Sequence, residues 1–267
     1  MLGLNKSVLL ISFLVGAGSF VEAQTGFYTL NGGTSSQTNQ TYAATNPDQS
    51  AIYVLNGGKL TLSGPTITKT GSASNTNNSS QYGINAGLLV GSAGTVNITN
   101  GSVTTNAAGS NGLFATGTGS SITMNGGTIV TTGSASHGVD VTYGGSITLV
   151  NVNVTTSQGT ACAALSTDFG GGTVDVTGGT MKTAGAMAPG IYSTGVITVT
   201  GATITASGEG GGVVDGANSI ILNNTSLQGT GFGIKLHKSA PGTGTELLVD
   251  VPVRSAVAEK LGIALNS

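Results

Sequence analysis

The chain has 267 residues, enough for one or two ordinary domains, of which only 7% are charged and 46 are glycine, with no tryptophan at all. That composition excludes a helical bundle or a coiled coil, which need Ala, Leu, Glu and Lys, and collagen, whose glycine at every third position is absent. A formal net charge of −2, spread thinly, leaves no electrostatic footprint for nucleic acid or an anionic membrane.

In chain order, residues 1–23 read as a secretory signal peptide. Lys6 supplies the positive end, Val8 to Val15 the apolar run, and cleavage is expected between Ala23 and Gln24. The run is too short and too interrupted for a membrane span, which needs about 20 apolar residues. The expected location is therefore extracellular, secreted or at the cell surface, with no membrane span in the mature chain. Residues 24–50 hold Phe27, Tyr28, Leu30 and Tyr42 but no full repeat, and are expected to form an N-terminal cap on the first coil.

Residues 51–234 carry the strongest signal. Seven segments superimpose without gaps, beginning at Lys59, Thr95, Ser121, Ser146, Thr173, Val196 and Ser219. Each places two apolar residues two apart, as in Leu60 and Leu62 or Val174 and Val176, and a third five residues on, as in Ile67 or Met181. The first pair is strand alternation with one face inward; the third follows a Gly- and Asn-rich bend and opens a second short strand. A further strand precedes each segment, entered at Ile52, Leu88, Leu113, Val139, Ala164, Ile191 and Val213. A three-strand unit returning every 22 to 36 residues predicts a coil that climbs one strand spacing per turn and shares its core with its neighbours. The expected fold is all-β: a three-faced, right-handed parallel β-helix of about seven coils. A propeller blade, at some 40 residues, is too long for most of these repeats.

One coil is interrupted. The excess at 69–83 is rich in Ser and Asn and is expected to project as a loop, making Lys69, Asn77, Asn78 and Tyr82 the candidate binding residues. Residues 235–267 leave the repeat and hold seven of the eighteen charged residues; they read as a non-repeat tail, a cap with a short helix at 256–264, or foreign sequence.

The Gly-Gly-Thr turns and stacked Ser/Thr-Ile-Thr strands of residues 50–234 resemble bacterial parallel β-helix surface proteins, adhesin-like and autotransporter-passenger-like. Their superfold also hosts pectate lyases and polygalacturonases. The resemblance implies a stalk, an adhesin or a carbohydrate-contacting module, with extracellular glycans or host cell-surface ligands as partners.

Lyases and hydrolases on such a scaffold need clustered carboxylates, whereas Asp140, Asp168, Asp175, Glu209 and Asp215 fall in no common column on the seven-coil register. That register stacks Thr116, Thr142, Thr167 and Thr194 in one outward slot, and Asn111, His137, Cys162 and Pro189 at one corner. A thiol beside an imidazole would be a nucleophilic pair, but no orienting acid accompanies it, and packing is the preferred reading. The sequence therefore predicts no catalytic, cofactor-binding or metal-binding residues and no cofactor. The expected function is a structural or adhesive β-helix without catalysis. The alternatives are a glycan-binding or degenerate polysaccharide lyase- or hydrolase-like module and, last, ice binding by a Thr ladder running from Thr66/Thr68 to Ser226/Gln228.

Overall fold

The computed structural model describes residues 24–157, 159–237 and 247–249. Residues 1–23, expected as a signal peptide, and the tail from 250 on, with its expected helix, lie outside the described residues. The chain forms a parallel β-solenoid. Each coil contributes a first strand to one sheet and a second and third strand to another. These latter two share a sheet because Thr95–Thr105 and Ser121–Thr131 each run through both positions without a break. Among the described residues no helix is long and apolar enough to cross a membrane.

The three expected core columns are present in full. Leu60, Val96, Ile122, Ile147, Val174, Ile197 and Ile220 pair in succession, as do the columns ending at Leu222 and Leu227. Together they form one continuous apolar interior. Stacking supplies what no coil has alone: each buries its inward side chains against the coils above and below.

At the bend between second and third strands Gly127 and Gly179 also take positive φ, and every coil opens that bend with one left-handed residue. These are Asn39, Gly64, Asn100, Gly126, Asn151, Gly178, Gly201 and Asn224, with φ between 47° and 70°. Only Gly and Asn enter that region at little cost, so the Gly/Asn signal in the sequence is a backbone requirement. Where Asn stands above Gly, its Oδ1 fills the space a Cβ would take: Asn39 over Gly64, Asn100 over Gly126, Asn151 over Gly178.

There are eight coils, one more than expected. Thr25–Asn31, Thr34–Thr38 and Thr41–Ala44 pair in parallel with the three strands of the next coil. The segment expected as a cap lacks the repeat pattern because Ser35 and Gln37 occupy the inward positions that Leu60 and Leu62 hold one coil later. Gln37 Nε2 donates to Tyr28 Oη (3.2 Å) and to Ser35 Oγ (3.4 Å), so polar groups close this end of the core. At the other end the first sheet continues past Ile234 as Ile234–His237, parallel to Gly212–Asp215, and Leu247–Val249 adds to it antiparallel.

The register differs from the expected one at two strand entries. Val139 pairs with Leu165, not Ala164, and Ile191 pairs with Gly212, not Val213. The cause of the first is visible at the corner where the third strand returns to the first. Thr105, Thr131 and Thr183 each donate Oγ1 to the carbonyl five residues on, at Ser110, Ser136 and Ala188. Thr156 reaches Cys162, six residues on. That turn holds one extra residue, and equal spacing misplaces everything in the strand after it.

The insertion does not project. It folds back as a helix, Thr76–Tyr82, over the outer side of the first sheet. Asn75 caps it, its Oδ1 accepting from the N–H groups of Asn77 and Asn78, and Gly83 ends it at φ 70°. Beneath it Tyr53, Ala86, Leu89 and Phe114 make a second apolar cluster. Buried Ser79 ties the helix down by donating to the carbonyl oxygens of Ile84 and Gly109.

Candidate functional site

The outer side of the first sheet is where the solenoid stops being regular. One outward column runs Tyr53, Leu89, Phe114, Asp140, Ser166, Tyr192, Val213, Lys235. Asp168 and Asp215 each follow a residue paired with Ser193, which places both on the column of Thr142 and Thr194. Three of the five carboxylates that fall apart on equal spacing are therefore gathered within four successive coils of one face. Asp175 stays outside the group, exposed between Thr148 and Thr198 as expected.

A cleft of about 320 Å³ opens between the helix and this face. Asn77 and Ser80 of the helix form one wall. The returning corners supply Ala135, His137, Ala161, Ala163, Met187 and Pro189, and Asp168 and Tyr192 complete the lining. The Tyr192 hydroxyl donates to Asp215 Oδ2 at 3.0 Å. Among the described residues no three His, Cys, Asp or Glu side chains are placed to hold a metal ion.

Burial dominates the electrostatics. Asp140 is fully buried; its Oδ1 accepts from the Val141 N–H at 2.9 Å, while its Oδ2 has no partner. Burial, then the charge of Asp168, push its carboxyl well above the ordinary 3.8. Burial also raises Asp168, and Asp215 adds to the effect. The Tyr192 hydroxyl is raised by burial and by Asp215, with smaller contributions from Asp168 and Asp140. Burial lowers His137 to about 4, keeping it neutral, with Nδ1 accepting from the Ala163 N–H at 3.0 Å.

The raised Asp140 has a measurable consequence. The folded protein holds a proton there that the unfolded chain releases above about pH 4, so rising pH erodes stability until the folded-state pKa is passed. Asp140→Asn keeps the contact to Val141 and offers an N–H to Ser166. We expect the variant to melt above the wild type at pH 7–8, by about 1 kcal/mol or more, and the two to converge near pH 4. A wild-type advantage at pH 7.5 would contradict this.

The sequence-predicted site residues meet different fates. Asn77 lines the cleft, facing His137, Asp168 and Tyr192. Asn78 serves the helix cap. Tyr82 stacks on Tyr143, ring centroids 6.2 Å apart, and its carbonyl accepts from Gln24 Nε2 at 2.5 Å. Lys69 is not a surface ligand. It is fully buried in the Thr105 corner column, its Nζ donating to the carbonyls of Asn46 and Gly71, and burial lowers it to about 8. Gln24, expected to begin the mature chain, accepts from the Tyr53 hydroxyl at 2.7 Å. The expected stack of His137 on Cys162 is also displaced by one residue. His137 follows Asn111, whose Oδ1 accepts its N–H at 2.7 Å, whereas Cys162 follows Ser136, whose N–H donates to Sγ at 3.3 Å. Burial raises the thiol, which donates to the carbonyls of Gly133 and Thr160: a corner plug.

The residues that sequence reasoning missed are Asp140, Asp168, Tyr192 and Asp215. The signal that would have found them is the fifth residue between Thr156 and Cys162, where the other Thr corners have four. With it counted, Asp168 replaces Thr167 in the outward slot beside Thr142.

No family model, curated protein or solved structure matches the chain.

Proposed function

We propose that the protein is a secreted or cell-surface β-solenoid with a structural or adhesive role, contacting extracellular glycans or cell-surface ligands, and that it is not an enzyme. The location rests on the signal-like residues 1–23, and the adhesin-like character on the repeat pattern. The observation that carries the non-catalytic reading is the disposition of the carboxyls. Hydrolysis of a glycosidic bond needs two carboxyl groups at the substrate, one protonated and one ionised. Here the protonated one, Asp140, is sealed beneath the surface, and Asp168 alone lines the cleft.

A second reading, a degenerate polysaccharide lyase- or hydrolase-like module, is favoured by the gathering of Asp140, Asp168 and Asp215 on one face. One experiment separates the two. Residues 24–267 are incubated with pectin, polygalacturonate, alginate and chondroitin, with and without calcium. The structural reading expects no unsaturated product and no new reducing ends above a heat-killed control. Product lost in Asp168→Asn would establish the second reading.

A further inference from the structure

The cleft is electrostatically one-sided. Of the ten residues lining it, none is lysine or arginine, His137 is neutral, and Asp168 carries the charge. Asp140 lies beneath. Its side chain leaves the sheet on the same side as Phe114, its partner in register, which is the side the helix and cleft occupy. Its neighbour in that column, Ser166, is also fully buried, and the Ser166 hydroxyl offers the Asp140 carboxyl a donor. At the corner the Thr105, Thr131, Thr156 and Thr183 hydroxyls are satisfied coil by coil. Among the carboxyls only Asp168 reaches the cleft, whose walls supply no cation. A half-buried carboxylate left this way lacks a cationic donor that a ligand can bring.

The shape narrows the ligand. About 320 Å³ is the small end of small-molecule sites, too little for a polymer and far more than a bare ion fills. Away from Asp168 the wall is apolar, made of Ala135, Ala161, Ala163, Met187 and Pro189. Met187 holds a left-handed φ of 50° while 62% exposed at the rim. Asn77, Ser80 and the Tyr192 hydroxyl border the opening with groups that exchange hydrogen bonds with hydroxyls.

We propose that this cleft binds an organic ammonium group carried on a compact body, with the ammonium directed at Asp168 and the body lying against Met187 and Pro189. The Asp168 carboxylate supplies the attraction, and the same charge repels uronates. Two sources present this chemistry: an amino sugar with a free amine, or an alkyl amine such as a lysine side chain or a diamine. The inference goes beyond the structural or adhesive role and holds whether or not that role is right.

Calorimetric titration of residues 24–267 tests it with four probes: the glucosamine disaccharide, its N-acetylated counterpart, putrescine and digalacturonate. Binding is expected for the glucosamine disaccharide, putrescine or both, and about tenfold or more weaker for the N-acetylated and uronate probes. Which amine binds identifies the source. Asp168→Asn should weaken amine binding by about tenfold or more, with its thermal transition retained, and exposed Asp175→Asn should not change it. Failure of both amines to bind, equal binding of the N-acetylated disaccharide, or binding that survives Asp168→Asn would each overturn the proposal. Adhesion assays play no part in these outcomes, so a failed adhesive reading leaves them intact.

Discussion

Val176→Asp is expected to break the solenoid at its middle. Val176 is 2% exposed and sits in register between Leu149 and Val199, with apolar coils on both sides. An aspartate there faces no donor, and burying it unpaired costs roughly 4 kcal/mol or more. Because each coil is stabilised by its neighbours, the defect spreads in both directions instead of staying local. Asp175→Val, one residue away, changes an exposed side chain and should move the urea midpoint little. Equal damage from the two would mean that the inward and outward faces of this strand are interchanged.

Gly185→Ala is the second large effect, and its cause is backbone instead of core. Gly185 stacks on Gly159 at the corner that follows the third strand, and a Cβ added there would overlap the Gly159 carbonyl oxygen. A carbonyl in the adjoining coil cannot swing aside as a side-chain tip can, so the coils must separate locally. Overpacking of this kind costs roughly 3 kcal/mol, a marked loss of melting temperature. Met187→Gly, two residues on, has the opposite setting: an exposed side chain held at positive φ, in a corner position that Gly109 fills with glycine. Its melting temperature should stay level or rise. A Gly185→Ala protein as stable as the wild type would mean the corners are looser than the backbone shows.

The core of this fold is legible in the sequence because alternation is a strong signal when one face is apolar in every copy. Leu62, Ile98, Met124, Leu149, Val176 and Val199 align without a gap. The first coil is not legible, because closing a stack calls for polar groups inward, and Ser35 and Gln37 erase the pattern just where it ends. The helix at 76–82 hides in its composition. Thr-Asn-Asn-Ser-Ser-Gln-Tyr is poor helix-forming sequence, and it is held by Asn75, Gly83 and the apolar cluster below it. Yet Asn before and Gly after are cap signals in plain view. The acidic face is hidden by arithmetic. One extra residue between Thr156 and Cys162 moves Asp168 out of its column, and a shortened turn before Gly212 does the same to Asp215. Neither a burial pattern nor a motif marks a carboxyl on an outer face, so only the register could reveal the group.

The alternation of Asn and Gly at the bend gives the rod a hidden period. In sequence the repeat is one coil long. At that bend it is two, since from Asn39 to Gly178 each Asn side chain rests on the bare backbone of the Gly below it. Removing one coil from this stretch would set like against like, Gly over Gly with a gap or Asn over Asn with a collision. Removing two would leave every junction as it was. Lengthening or shortening within this stretch, by duplication in its history or by design at the bench, should therefore proceed most smoothly in pairs of coils, whereas past Gly178, where Gly201 follows, a single coil can be added or removed without upsetting an Asn–Gly contact.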